Sequence, residues 1–143
     1  SEEMIKQADK SRQSLISEME ERISAEAVNE ACGLIRVVLP EEVKKSAHVQ
    51  WVDDLVNGGF GKLERLRIPE GIDEAKITSA FPLTEEQRKS LIRKLKDMLN
   101  RDMALKEEVE PKLVAGIIIG LGSIVLDGSL LNKIREQALK EKA

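Results

Sequence analysis

Few residues in this chain are of a type and spacing that could do chemistry. His48 is the sole histidine and Cys32 the sole cysteine. A lone histidine, with no Ser, Cys or carboxylate at matched spacing, makes no triad. His48 falls in a helical stretch and reads as a partly exposed helix residue. Cys32, between Ala31 and Gly33, reads as a small packing residue rather than a nucleophile. One cysteine forms no internal disulfide, so nothing points to an oxidising compartment. Glu107, Glu108 and Glu110 in "LKEEVEP" lack the spacing of a metal loop and read as a solvated strand edge. Asp127 ends an apolar run, where a catalytic acid could sit. With Ser129 two residues on, it reads instead as the cap of a turn into a helix. "GGFGKL" at Gly58 to Leu63 lacks both the first glycine of a Walker loop and the Ser/Thr after Lys62. "GIIIGLGS" lacks a GxGxxG and any strand–loop–helix order around it. The expectation is a chain with no catalytic residues, no cofactor and no metal.

The elements that hold these residues follow from periodicity. Glu2 to Val38 contains no Pro and only Gly33. Apolar residues recur along it at helical spacing, from Ile5 and Ala8 through Leu15, Ile16, Met19 and Ile23 to Ala27, Ala31, Leu34 and Val38. The stripe is narrow at first and widens after Ala25, which suits pairing with another helix. Ile5, Ile16, Ala27 and Val38 also repeat every 11 residues, the period of a nearly straight or right-handed supercoil. Pro40, with Glu41 and Glu42, starts a second helix with Val43, Ala47, Trp51 and Leu55 on one face. Trp51 is an interface anchor or, more simply, core. "NGG" at Asn57 to Gly59 is expected to end this helix with residues that tolerate positive φ. A short helix from Gly61 to Arg67 and a linker follow.

From Ala75 the pattern changes. "AKITSAF" is a short strand. Thr84, with Gln87 three residues on, makes a capping box for a helix that buries Leu91, Ile92, Leu95 and Leu99. "DMALKEEV", "LVAGIIIGL" and "SIVLDG" are three more strands, the last two joined by a tight turn at Gly120 to Gly122. Ser129 opens a closing helix that runs to Ala143. The fold class is α+β: a long stalk-like helix and a short helix over 1–57, a linker over 58–74, and a small domain of order β-α-β-β-β-α over 75–143.

Composition narrows the function classes. Charged residues make up 34% and aromatics 2%, with a net charge of −3 and both signs interspersed. That pattern lacks the basic face and stacking aromatics of a nucleic-acid binder. "LVAGIIIGLGSIVLDGSLL" is the most apolar run, but glycines and Asp127 interrupt it short of the roughly 18 to 20 residues that span a bilayer. There is no signal-peptide pattern at the start, so the chain reads as a soluble piece.

The C-terminal half resembles the C-terminal domain of the delta subunit of F-type ATP synthase, the oligomycin-sensitivity-conferring protein in mitochondria. The motifs are Thr78-Ser79-Ala80, then Pro82 to Gln87, then Val109-Glu110-Pro111 with Leu113 and Ala115-Gly116, then Asp127-Gly128-Ser129. Glu110 stands where the family has Asp, Ala115 where it has Gly, and Leu130 to Ile134 where it has a more basic stretch. Residues 2–57 resemble the C-terminal end of the b subunit, the long helix of the peripheral stalk. Together the halves resemble a b–delta fusion, and that resemblance implies a stator subunit without an active site. It implies a second stalk helix, from the same chain or a sister b-type subunit, on Ile5, Leu15, Ile16, Met19 and Ile23. It implies docking to the alpha/beta catalytic head through Lys133, Arg135 and Glu136. Thr84, Gln87, Pro111, Gly116, Asp127, Gly128 and Ser129 form the structural motif. A membrane anchor would lie upstream of Ser1, placing the chain at the cytoplasmic face. A vacuolar-type stalk subunit and a homodimeric coiled-coil adaptor are the alternatives.

Overall fold

The computed structural model describes residues 1–65 and 67–141. Helix α1 spans Glu2–Val38, 37 residues, or about 55 Å at 1.5 Å per residue. The Ser1 hydroxyl caps it, and Glu2 and Glu3 sit at its positive end. Pro40 breaks the run, and α2 follows over Glu41–Gly58. The helix does not stop at "NGG" through a left-handed residue. Gly59 stays right-handed at φ −71°, and the chain tightens directly into a 3₁₀ segment, Gly59–Arg65. Leu66, within the helix expected over Gly61 to Arg67, lies outside the described residues, as do Lys142 and Ala143 of the closing helix.

Strand β1 (Glu74–Ser79), α3 (Glu85–Leu99) and β2 (Ala104–Val109) form a β-α-β unit, with β1 and β2 parallel and Glu74 opposite Ala104. Strands β3 (Ile117–Leu121) and β4 (Ile124–Asp127) make a hairpin, and β3 lies antiparallel beside β1. The sheet order is β2-β1-β3-β4, and α4 (Leu130–Glu141) follows. The element order and the α+β class match the expectation. The hairpin loop is Gly122-Ser123 rather than Gly120 to Gly122. Gly122 takes the positive φ (63°) that a two-residue loop favours, and Gly120 belongs to β3. The third strand also starts later than the apolar run. A 3₁₀ turn at Pro111–Leu113 and two positive-φ residues, Val114 (68°) and Gly116 (91°), come first.

Alternation fixes the core. Ala75, Ile77 and Ser79 of β1 and Ile117, Ile119 and Leu121 of β3 point inward. Leu91 and Leu95 of α3, Val52 and Val56 of α2, and Phe60 and Leu63 of the 3₁₀ segment cover that face. Ile92, expected in the α3 stripe, is exposed. The β2 edge carries Lys106, Glu107 and Glu108 outward, which blunts edge-to-edge pairing. Glu107 is more than a solvated edge residue: Arg88 of α3 grips it with two bonds, Nε–Oε2 at 2.8 Å and Nη2–Oε1 at 3.0 Å. That bidentate bond holds its carboxyl below the ordinary carboxylate range.

The capping box is present with both bonds: Gln87 N to Thr84 Oγ1 at 3.1 Å and Thr84 N to Gln87 Oε1 at 3.0 Å. Thr84→Ala is expected to cost about 1 kcal/mol, and Leu91→Ala, at a fully buried site, about 2 to 5 kcal/mol. Urea unfolding with an unchanged m-value checks both.

Candidate partner-binding surfaces

Four of the motif residues, Gly116, Asp127, Gly128 and Ser129, meet at one junction. The backbone of Ala115–Ile117 runs against Gly128–Leu130. Gly128 N donates to Ile117 O at 2.9 Å, and Leu130 N donates to Ala115 O at 3.0 Å. Gly116 sits at the closest approach. A Cβ there would run into the Gly128 carbonyl oxygen and lie 2.9 Å from Ser129 Cα. Asp127 Oδ1 accepts from Ser129 N at 3.0 Å and from Ser129 Oγ at 2.6 Å. Ser129 Oγ in turn accepts from Asn132 N at 3.2 Å. Asp127 therefore caps the turn that launches α4, as its spacing suggested. Glu110 accepts from Lys112 N at 3.0 Å, the bond a shorter acid would make at the same turn.

His48 is the functional-looking residue that the sequence misplaced. It is 3% exposed. Its Nδ1 accepts the Gly116 amide at 2.9 Å, and its ring packs edge-on to Phe81 with centroids 5.1 Å apart. An acceptor Nδ1 requires the neutral ring, and burial lowers its pKa from the ordinary 6.5. Lys44, one turn earlier, is also buried. Its Nζ donates to Arg36 O at 2.8 Å and pairs with Glu41 at 2.6 Å. The inner face of α2 is thus Lys44, His48, Val52 and Val56, one position round from the face expected at Val43, Ala47, Trp51 and Leu55. The i, i+4 series was present in the sequence, but its first two members are polar. Trp51 is half-buried, with Lys133 Nζ 5.3 Å from its ring centroid, a cation–π contact joining α2 to α4.

Helix α1 has two apolar faces. Val28, Cys32 and partly Ile35 pack on Leu130, Leu131, Ile134 and Ala138 of α4. Cys32 is a packing residue, and burial pushes its thiol pKa up against the opposing pull of Arg135. Beyond this contact a cleft of about 410 Å³ opens between α1 and α4, with Glu20, Glu21 and Arg135 among its lining. The other face carries Ile5, Leu15, Ile16, Met19 and Ile23, and it continues to Leu34, Val37 and Val38. Its exposures run from 47% at Ile16 to 78% at Val37. At 100° per residue the two faces lie on roughly opposite sides of the helix. Leu34 and Val38 lie on this outer face with the rest of the expected stripe, and the domain-facing Val28, Cys32 and Ile35 form a second face outside it.

Lys133, Arg135 and Glu136 are all exposed but do not converge. Lys133 lies over Trp51, Arg135 borders the α1–α4 cleft, and Glu136 accepts from Asn132 Nδ2 at 3.2 Å. Among the described residues, no three of His, Cys, Asp and Glu gather where a metal could be held. No helix among them is long and apolar enough to cross a membrane.

Residues 62–140 match the family model described as the ATP synthase delta (OSCP) subunit. The chain is 42% identical over 72 residues to ATP synthase subunit delta of Rhizorhabdus wittichii, covering 50% of this chain and 39% of that protein. It is 36% identical over 83 residues to the subunit of Laribacter hongkongensis, covering 57% and 47%. It is 41% identical over 64 residues to that of Corynebacterium urealyticum, covering 45% and 24%. The chain spans less than half the length of each of these relatives.

Two outcomes test the junction. Gly116→Ala is expected to cost about 3 kcal/mol, read by chemical denaturation, because positive φ and the facing Gly128 carbonyl both oppose a side chain. The neutral His48 gives stability that is fully present above its ordinary pKa of 6.5. That stability is lost as pH falls, because the unfolded chain takes up the proton first. Unfolding free energy should be flat above that value and fall toward pH ~5. His48→Ala should be less stable at neutral pH and lose that slope.

Proposed function

The chain belongs to the ATP synthase delta (OSCP) subunit family, and from that premise we propose that it is a non-catalytic stator subunit that couples a stalk helix to the catalytic head of a rotary F-type ATP synthase. A rotary machine needs such a part. If the head turned with the rotor, ion flow would do no work on the catalytic sites. Here α1 would be the b-like stalk helix, and the domain from β1 onward the module that holds the head. The three parts assigned on this reading, over 1–57, 58–74 and 75–143, would be stalk, connection and docking domain.

The observation that carries the reading is the outer face of α1. A helix of 37 residues keeps its outer apolar residues in water along its length while its inner face serves the domain. A face of that kind suits a second stalk helix, and paired helices resist bending. On α4, Lys133, Arg135 and Glu136 are the residues assigned to the head.

Calorimetric titration of the chain against the alpha/beta head and against a companion b-type stalk chain tests this. Binding to both is expected. Ile16→Lys with Met19→Lys should weaken the stalk interaction roughly tenfold or more and leave head binding unchanged. Lys133→Glu with Arg135→Glu should do the reverse. Absence of affinity for either partner would end the reading.

A further inference from the structure

Ser79 is the polar member of an apolar row. Ala75 and Ile77 precede it on the inward face of β1, and all three are buried, Ser79 at 2% exposure. Among the described residues its Oγ has no hydrogen-bond partner, and neither has Nε2 of the equally buried His48. Polar atoms left this way are rare inside a folded chain, because each gives up its bonds to water and gains nothing in return. The third such atom, Arg101 Nε, lies elsewhere, on a side chain that reaches the Ile68 carbonyl.

His48 and Ser79 belong to one place in the fold. Ser79 lies opposite Ile117, where the pairing of β1 with β3 ends. At the next step Ala80 N donates to Gly116 O at 3.1 Å, but the reciprocal donor, Gly116 N, turns to His48 Nδ1. His48 therefore stands beside the step next to Ser79. Both side chains enter the layer between α2 and the sheet, His48 one turn before the core residue Val52 and Ser79 from the inward face of β1. Phe81 closes one side against the imidazole. Because Nδ1 accepts, the single ring proton sits on Nε2, which is a donor, while a hydroxyl both donates and accepts. The two do not bond each other. Water is the smallest guest that accepts from one and bonds the other. A neutral guest suits the place, since the nearby buried charge, Lys44, is already held by Glu41 and Arg36 O.

We propose that one buried water bridges His48 Nε2 and Ser79 Oγ and so links α2 to β1 beside the Gly116 bond. The inference rests on these two side chains and stands apart from the stator reading.

His48 is the sole histidine, so its ring N–H gives one unambiguous magnetic-resonance signal in the whole isotope-labelled chain. At neutral pH the Hε2 signal is expected, with a dipolar cross-peak at the water frequency whose sign is that of a bound water and not of proton exchange. Ser79→Ala removes the hydroxyl as a relay and leaves the imidazole donor in place, so the cross-peak should persist. An Hε2 signal without the water cross-peak overturns the proposal. So does its loss in Ser79→Ala, which would trace it to the hydroxyl, and so does an Hε2 signal too fast-exchanging to observe. A crystal structure of the unsubstituted chain answers without any substitution. It should show one water within hydrogen-bond distance of both atoms, and a direct His48–Ser79 bond or a dry gap would overturn the bridge.

Discussion

The Gly116 amide donates to His48 Nδ1 at the point where β3 begins and where Gly128–Leu130 crosses behind it. Three elements are positioned by this contact. It ties α2 to the sheet with a buried bond whose loss would strand a polar group on each side. It fixes where β3 starts, and so the register of β3 with both β1 and β4. Through the Ala115–Leu130 bond it also sets where α4 leaves the hairpin. The direction of α4 then decides where Leu131 and Ile134 meet α1. The bearing of a 37-residue helix on its domain thus traces back to one left-handed glycine and one neutral imidazole.

A second polar contact fixes the other end of that geometry. The last carbonyls of α1 lack partners within the helix and carry the negative end of its dipole. Lys44 answers this from α2, reaching Arg36 O while its charge is balanced by Glu41. Its bond to Glu41 also lowers the pKa of that carboxyl. Burying an ammonium is costly unless it is hydrogen-bonded and paired, and Lys44 is both. The Pro40 elbow is therefore held by a charge-assisted bond as well as by chain stiffness, so α1 and α2 meet at a defined angle.

Where a local rule governed, the sequence was enough to read the element. The period of α1, the Thr84–Gln87 box and the Asp127–Ser129 turn each depend on residues within one or two turns, and each is present. The readings that failed depended on distant partners. The inner face of α2 lies one residue round from the apolar one at Val43, Ala47, Trp51 and Leu55 because its first two members, Lys44 and His48, are polar. Their inward orientation makes sense only once Arg36 O and Gly116 N are beside them. β3 begins later than the apolar "LVAG" suggests, because Val114 sits in a tight turn closed by the Ala115 N to Leu113 O bond and Gly116 takes positive φ against the crossing at Gly128. The expected α1 stripe is the outer face alone, and Val28, Cys32 and Ile35 fall outside it because their partners on α4 are about 100 residues away in the chain. Cys32, a small residue flanked by Ala31 and Gly33, was the readable trace of the inner face.

The two faces of α1 bear on mechanics. A helix that docked its domain and its partner through one stripe would have to release one to hold the other. Here the inner face meets α4 at Val28 and Cys32 while the outer face stays in water past that same level, at Leu34 and Val38. A partner helix could therefore run beside α1 along the whole stretch that carries the domain. Load entering at the domain would then be shared by two helices at the point of attachment rather than by one. The residues that make this possible are few: a small side chain at Cys32, which lets α4 approach closely on one side, and β-branched Val37 and Val38 kept outward on the other. Exposed apolar residues scattered singly mean little, but a line of them set opposite a docked face is what a shared helix requires.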